Sequence, residues 1–179
     1  VISHILRIDE EPEIAELKME EIKDIFQYSA IVFSDYDKGF LNMKTCSAIC
    51  REANNYNIPI FVDTKKKDLS CFENSIIKIN KYEHSLVEEM PSNFTLITTL
   101  GSEGADINGK LIPPYEISNV DNDGKRDVCG AGDTFLAALV HSYVRGKSIE
   151  KSVEFANRCA AIAVSNFGTY QIKLEDLKG

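Results

Sequence analysis

The run Asp127-Val128-Cys129-Gly130-Ala131-Gly132-Asp133-Thr134 carries residue types suited to chemistry on an anion. It directly precedes Phe135-Leu136-Ala137-Ala138-Leu139-Val140, an apolar stretch that predicts a buried helix. Small residues at a helix start leave backbone N–H groups bare, and the helix dipole favours an anion there. Glycine costs about 1 kcal/mol against alanine inside a helix, so two at this boundary point to backbone exposed to a ligand. Asp133 in the first turn could merely complement the dipole, but that does not account for Gly-Ala-Gly beside it. An acid next to an anion hole suits a reaction in which a hydroxyl loses its proton while a phosphoryl group is transferred to it. Asp127 lies too far along to be a second base in the same turn. It could cap the loop or help to hold a cation.

Three further groups of residues could share that chemistry. Asn80-x-x-Glu83 follows an apolar run, so its amide and carboxylate can reach the mouth of one crevice. A magnesium ion bridging phosphates keeps several waters, and protein acids often meet it through them. The plainer alternative is a turn asparagine with a solvated glutamate at a helix start. Thr99-Leu100-Gly101-Ser102-Glu103-Gly104 offers a nucleotide-cradling loop or a plain tight turn. It is not a P-loop, and the chain has no GxGxxG spacing, which weakens a dinucleotide enzyme. Asp35, Asp37 and Lys38 end one apolar run, and Asp63, Lys65, Lys66 and Lys67 end the next. Such lysines could meet an anionic substrate, although a charge run is ordinarily a solvated loop. His4, His84 and His141 are isolated and read as structural.

The elements that must position these groups alternate short apolar runs with helical patterns, which predicts a mainly parallel α/β sheet. Residues 18–28 have a helical period through Met19, Ile22, Ile25 and Phe26. Strands are expected at 31–33, 60–62, 75–79 and 95–99, with a helix at 42–56 between the first two. A hairpin is expected at 105–107 and 110–112 around Asn108-Gly109, a favoured type I′ pair. The opening motif then leads into a helix ended by Gly146, and Ser148 caps a last helix from 149 to about 166. Every buried strand ends in a polar loop. Ligands bind outside the carboxyl ends of such strands, so these loops should converge on one crevice.

Composition narrows the class. The 179 residues fit one domain, 44% of them are hydrophobic, and the formal net charge is −8. That balance argues against nucleic acid or an anionic membrane as partner, since either calls for a basic face. No segment has the roughly 18–20 apolar residues of a membrane span, and the N-terminus lacks a signal-peptide pattern, so a cytoplasmic location is expected. Five cysteines are scattered without a CxxC pair, which reads as reduced, mostly buried thiols rather than a zinc site.

In this order the motifs resemble the ribokinase-like carbohydrate kinases, the PfkB family. The family's DTxGAGD is matched by Asp127–Asp133, with valine and cysteine at its second and third positions. Its NxxE is matched by Asn80–Glu83, its TLGxxG loop by Thr99–Gly104, and its late alanine-rich helix by Ala156-Asn157 through Val164. Ser34-Asp35-Tyr36-Asp37-Lys38-Gly39 is similar to the SDYxKG of the heptose-7-phosphate kinases. Leu6-Arg7-Ile8-Asp9 and the Asp63-x-Lys65 step resemble the same group.

The resemblance implies a fold, a reaction and a set of roles. The fold is a ribokinase-like three-layer α/β/α domain over 1–179, with 1–9 as a remnant of the lid sheet and the N-terminal part of the fold missing. The reaction is ATP- and magnesium-dependent phosphorylation of a sugar or sugar-phosphate hydroxyl, with a heptose phosphate as leading acceptor. Asp133 would be the base, and the N–H groups of Gly130, Ala131 and Gly132 would stabilise the transferred group. Asn80 and Glu83 would organise magnesium and phosphate-bound water. Gly101, Gly104, Asn157 and Gly168 would line the nucleotide pocket. Asp127 would help to bind a monovalent cation such as potassium, and Asp35 and Lys38 would face the acceptor. A binding module without turnover, or a kinase for fructose, phosphofructose or a nucleoside, is the alternative, and a homodimer is an assembly open to it. Only residues 82–94 separate NxxE from the next strand, which is short for a helix-containing crossover.

Overall fold

The computed structural model describes residues 14–22, 24–117, 128–166 and 168–178. At its centre lies one six-stranded sheet with its strands in chain order. These are β1 (Ile31–Asp35), β2 (Ile60–Thr64), β3 (Ser75–Asn80), β4 (Phe94–Thr99), β5 (Ala105–Ile107) and β6 (Lys110–Ile112). The first four run parallel, and β5 and β6 add an antiparallel hairpin to β4. Asn108 and Gly109 turn that hairpin with φ of 50° and 90°. Both values are positive, as a type I′ turn requires.

Parallel neighbours need crossovers, and the three here pack on one face. The first is α1 (Met43–Asn55), whose Asn42 cap accepts the Thr45 N–H at 2.8 Å. Cys46, Ile49, Cys50 and Ala53, spaced i, i+3, i+4 and i+7, form its buried stripe. They pack with Phe33, Val62, Ile77 and Ile79 of the sheet. The β2–β3 connection has no helix and is anchored by side chains instead. Leu69 and Phe72 are fully buried, and the Phe72 ring meets Phe33 edge-on at 5.2 Å. The third crossover contains the six-residue α2 (Lys81–Leu86), so the short connection does hold a helix. The chain then returns beside the β2–β3 connection, where Leu69 N–H donates to Glu89 O at 2.8 Å.

The opposite face is covered by α3 (Ala131–Val144) and α4 (Ile149–Val164), which pack on Phe61, Ile76 and Ile97. Three layers result, α/β/α, with a mainly parallel sheet as expected. Gly146 follows α3 with φ 80°, and the Ser148 hydroxyl accepts the Lys151 N–H to cap α4. Four cysteines are buried and Cys129 is exposed, and no disulfide forms among the described residues. Among the described residues no helix is long and apolar enough to cross a membrane.

One expected element is absent. Residues 18–28 form two 3-10 turns, Met19–Glu21 and Ile25–Gln27, rather than a helix. Between them Asp24 has φ 54°, a left-handed conformation that cannot continue a right-handed helix. The expected lid strand at 1–9 and loop at 119–126 lie outside the described residues.

Phe72 carries the helix-free connection, so Phe72→Ala should destabilise the fold by about 3–5 kcal/mol. Urea unfolding measures this directly. A change below 1 kcal/mol would mean that other contacts anchor the connection.

Candidate active site

Because β1 to β4 are parallel, their carboxyl ends share one edge of the sheet. There Asp35, Asp63, Asn80 and Thr99 line a cavity of about 360 Å³. The start of α3 closes it from the other side with Gly130, Gly132 and Asp133. The strand-end loops therefore do converge, and they do so against the glycine-rich turn.

Gly130 is the N-cap of α3 and has φ 74°. A Cβ there would also lie 3.1 Å from the Thr169 methyl, so conformation favours glycine and the packing beside it is tight. The first intrahelical bond runs from Thr134 N–H to Gly130 O at 2.9 Å. Ala131 N–H donates to Val128 O at 3.2 Å. Toward the described residues the N–H groups of Gly130, Gly132 and Asp133 are therefore left open, and of the Gly130–Gly132 trio expected from sequence only Ala131 is spent. Those N–H groups and the helix dipole suit an anion. Asp133 is exposed and forms no ion pair with a described residue.

Lys78 is the residue that sequence reasoning missed. It is 4% exposed, and its Nζ lies 3.1 Å from where a Cβ on Gly132 would be. Its partner is Asp63, with Nζ and Oδ2 2.5 Å apart. The ammonium is thus held beneath the open helix end by an acid from the neighbouring strand. A signal was available. Lysine interrupts the apolar run Ser75-Ile76-Ile77-Lys78-Ile79-Asn80, two residues before Asn80 and so on the same face of the strand.

Asn80 and Glu83 stand at a helix start, as the plainer reading has it, but the Glu83 side chain is mostly buried rather than solvated. They form a capping box on α2, in which Asn80 Oδ1 accepts Glu83 N–H at 2.9 Å and Glu83 Oε2 accepts Asn80 N–H at 2.8 Å. Both also line the cavity. Glu83 Oε1 is taken by the Lys65 ammonium. Burial works to raise the Glu83 carboxyl, but the Asn80 N–H and the Lys65 charge together hold it below its ordinary value. Burial likewise works to lower Lys65, and Glu83 outweighs it, so the ammonium is held above its ordinary value.

Asp35 lines the cavity with both oxygens committed. Oδ1 accepts Asp37 N–H, Oδ2 accepts the Thr64 hydroxyl, each at 3.0 Å, and Lys66 Nζ lies 3.3 Å from Oδ2. Lys66 is not a solvated loop lysine: its side chain is only 10% exposed and also pairs with Asp37. Lys67 is exposed and pairs with Glu88 at the surface.

Other expected site residues lie elsewhere. Gly101 lines the cavity, but Gly104 packs against β6, where a Cβ would meet Ile112 O at 2.3 Å. Asn157 is buried on α4 and donates to Pro113 O at 2.9 Å, fixing the end of β6. Gly168 has φ 77° and precedes Thr169, which packs on Gly130. Lys38 is exposed and outside the cavity lining. Asp127 lies outside the described residues.

Among the described residues no three His, Cys, Asp or Glu side chains converge as a metal cage. Glu83 with the Asn80 amide nonetheless fits a magnesium ion that takes most of its ligands from phosphate and water.

A helix start with open N–H groups at the carboxyl edge of a three-layer α/β/α sheet lies where such folds take up ligands. The chain belongs to the pfkB family of carbohydrate kinases, whose family model matches residues 11–176. It is 30% identical over 203 aligned positions to the bifunctional protein HldE of Campylobacter jejuni, covering 97% of this chain and 42% of that protein. The HldE of Sulfurimonas denitrificans is 31% identical, with 97% and 41% covered. The chain thus spans less than half the length of these curated relatives. Among solved structures, Arabidopsis thaliana ribokinase complexed with ribose and ATP superposes with a TM-score of 0.67 at 19% identity, covering 88% of this chain and 56% of that one. Escherichia coli phosphofructokinase-2 in complex with potassium gives 0.65 at 18%, covering 85% and 57%. These likenesses share the fold.

Gly132→Ala would place a methyl group 3.1 Å from the Lys78 ammonium at the anion site. It should weaken ADP binding by roughly tenfold, or about 1.4 kcal/mol, with the fold retained. Calorimetric titration reads the affinity and circular dichroism the fold. Unaltered affinity would place the phosphates elsewhere.

Proposed function

We propose that the protein catalyses transfer of the γ-phosphoryl group of ATP to a hydroxyl of a sugar or sugar phosphate. The observation that carries this reading is the juxtaposition of Asp133, the open N–H groups of Gly132 and Asp133, and the buried Lys78 around one cavity. In the reaction the acceptor oxygen forms a bond to the γ-phosphorus as the bond to the β–γ bridging oxygen breaks. The hydroxyl proton passes to the Asp133 carboxylate, and ADP leaves. Negative charge on the transferred group meets the α3 N–H donors and the Lys78 ammonium, both fixed before reaction.

Magnesium, when bound, neutralises the phosphates, and Glu83 with Asn80 would hold it through water. Gly101 would border the nucleotide. Gly104, Asn157 and Gly168 would shape that pocket indirectly, by fixing the end of β6 and the turn beside Gly130. Asp127 would contribute to a monovalent cation site, with potassium as its ion. A heptose phosphate is the proposed acceptor, supported by the resemblance of Ser34–Gly39 to the heptose-7-phosphate kinases and by the likeness to the HldE proteins. Asp35 and Lys38 would lie on the acceptor side.

Asp133→Asn in the full-length protein should lower kcat by about 10²–10⁴ while ATP affinity changes less than threefold. Coupled ADP release on a panel of sugar phosphates measures the first and calorimetry the second. Near-normal turnover would remove Asp133 as the base. ATP binding without transfer to any acceptor would make the protein a binding module.

A further inference from the structure

The contact between Lys65 and Glu83 bears on how the metal and the nucleotide enter. Glu83 has two oxygens, and both are occupied: Oε2 accepts the Asn80 N–H and Oε1 the Lys65 ammonium. The first bond belongs to the capping box of α2 and is fixed by that helix start. The second is made by a side chain from the loop after β2 that is 43% exposed, whereas the Glu83 side chain is only 12% exposed. Lys65 is therefore the movable partner and Glu83 the fixed one. Lys65 also lines the same cavity as Gly132 and Asp133.

Resting on the nucleotide reading of this cavity, we infer that Lys65 is an exchangeable counter-ion that gives up Glu83 Oε1 when the metal–nucleotide arrives and turns to its phosphates. A mostly buried carboxylate without a counter-charge is costly, so the unliganded site needs a cation on Glu83. It would also repel an incoming polyphosphate. Lys65 satisfies both demands while no divalent ion is held there. Once Glu83 has the ion or its water as partner, the ammonium is freed beside the phosphates, where its charge is attractive. Metal uptake and phosphate binding are then coupled through one side chain. Lys65 acts as a positioning residue and takes no part in the bond changes.

The coupling leaves a signature that a buttress or a spectator lysine would not. In full-length wild type, Lys65→Met and Lys65→Arg, Mn²⁺ binding to the protein–ADP complex is followed by electron paramagnetic resonance, corrected for Mn²⁺ held by free ADP. Calorimetry then gives ADP affinity at saturating Mg²⁺. For Lys65→Met the half-saturating Mn²⁺ should fall at least fivefold, because no ammonium competes for Oε1. ADP affinity at saturating Mg²⁺ should weaken about fivefold in the same variant, because the freed charge is missing. Lys65→Arg should keep both quantities within twofold of wild type. Unchanged or raised half-saturating Mn²⁺ in Lys65→Met, or unchanged ADP affinity, would overturn the exchange. Failure of the wild type to bind ADP at all would instead overturn the nucleotide reading on which it rests.

Discussion

The buried pair of Lys78 and Asp63 sits where three parts of the molecule meet. Lys78 comes from β3 and Asp63 from β2, and the ammonium reaches the underside of Gly132 at the start of α3. A lysine with 5% of its side chain exposed needs a partner, because an unpaired buried charge costs several kcal/mol. Asp63 meets that need and fixes where the ammonium points. The sheet edge and the helix start are thereby held at one separation, and a cation is stored under an anion site. A Cβ on Gly132 would lie 3.1 Å from that ammonium, so the lysine end would have to give way to it.

Much of the remaining site follows from neutralising acids at the carboxyl edge. Among the described residues, three of the four carboxylates lining the cavity carry lysines: Asp35 with Lys66, Asp63 with Lys78, and Glu83 with Lys65. Asp133 has no such partner among the described residues, and it is the carboxylate that stands beside the open helix N–H groups. The lysines that read in sequence as a solvated run are thus divided by tertiary structure into a packed Lys66, a cavity-lining Lys65 and a surface Lys67. Glycine plays a different part at each position. At Gly130 it permits a left-handed N-cap, and at Gly104 it lets β6 approach the backbone. At Gly132 it makes room for a side chain from another strand.

The sheet was legible in the sequence because its strands are short apolar runs bounded by polar loops, and because Asn108-Gly109 is a strong turn pair. The segment 18–28 was misread because its apolar spacing also suits two tight turns that rest Ile25 on the core. Periodicity does not register the left-handed Asp24 between them. Asn80 and Glu83 were legible as a motif, yet spacing could not say that they cap a helix and border a cavity together. Gly104 and Asn157 carry motif positions, but here their contacts fix the end of β6.

By itself the sequence pointed to the carbohydrate kinase family, because the family's motifs stand in it in order, and to a helix start suited to an anion. It also determined the layered α/β fold, because apolar periodicity is a local property of the chain. Only the tertiary structure decided which charges meet. Lys78 finds Asp63 across a strand pair 15 residues apart, and Lys65 finds Glu83 across 18. Such pairings depend on register and on crossovers that bring distant strand ends to one edge, and no local pattern encodes them. Ion pairs weaken with distance and are screened by water, so their strength depends on where packing sets the separation and limits solvent.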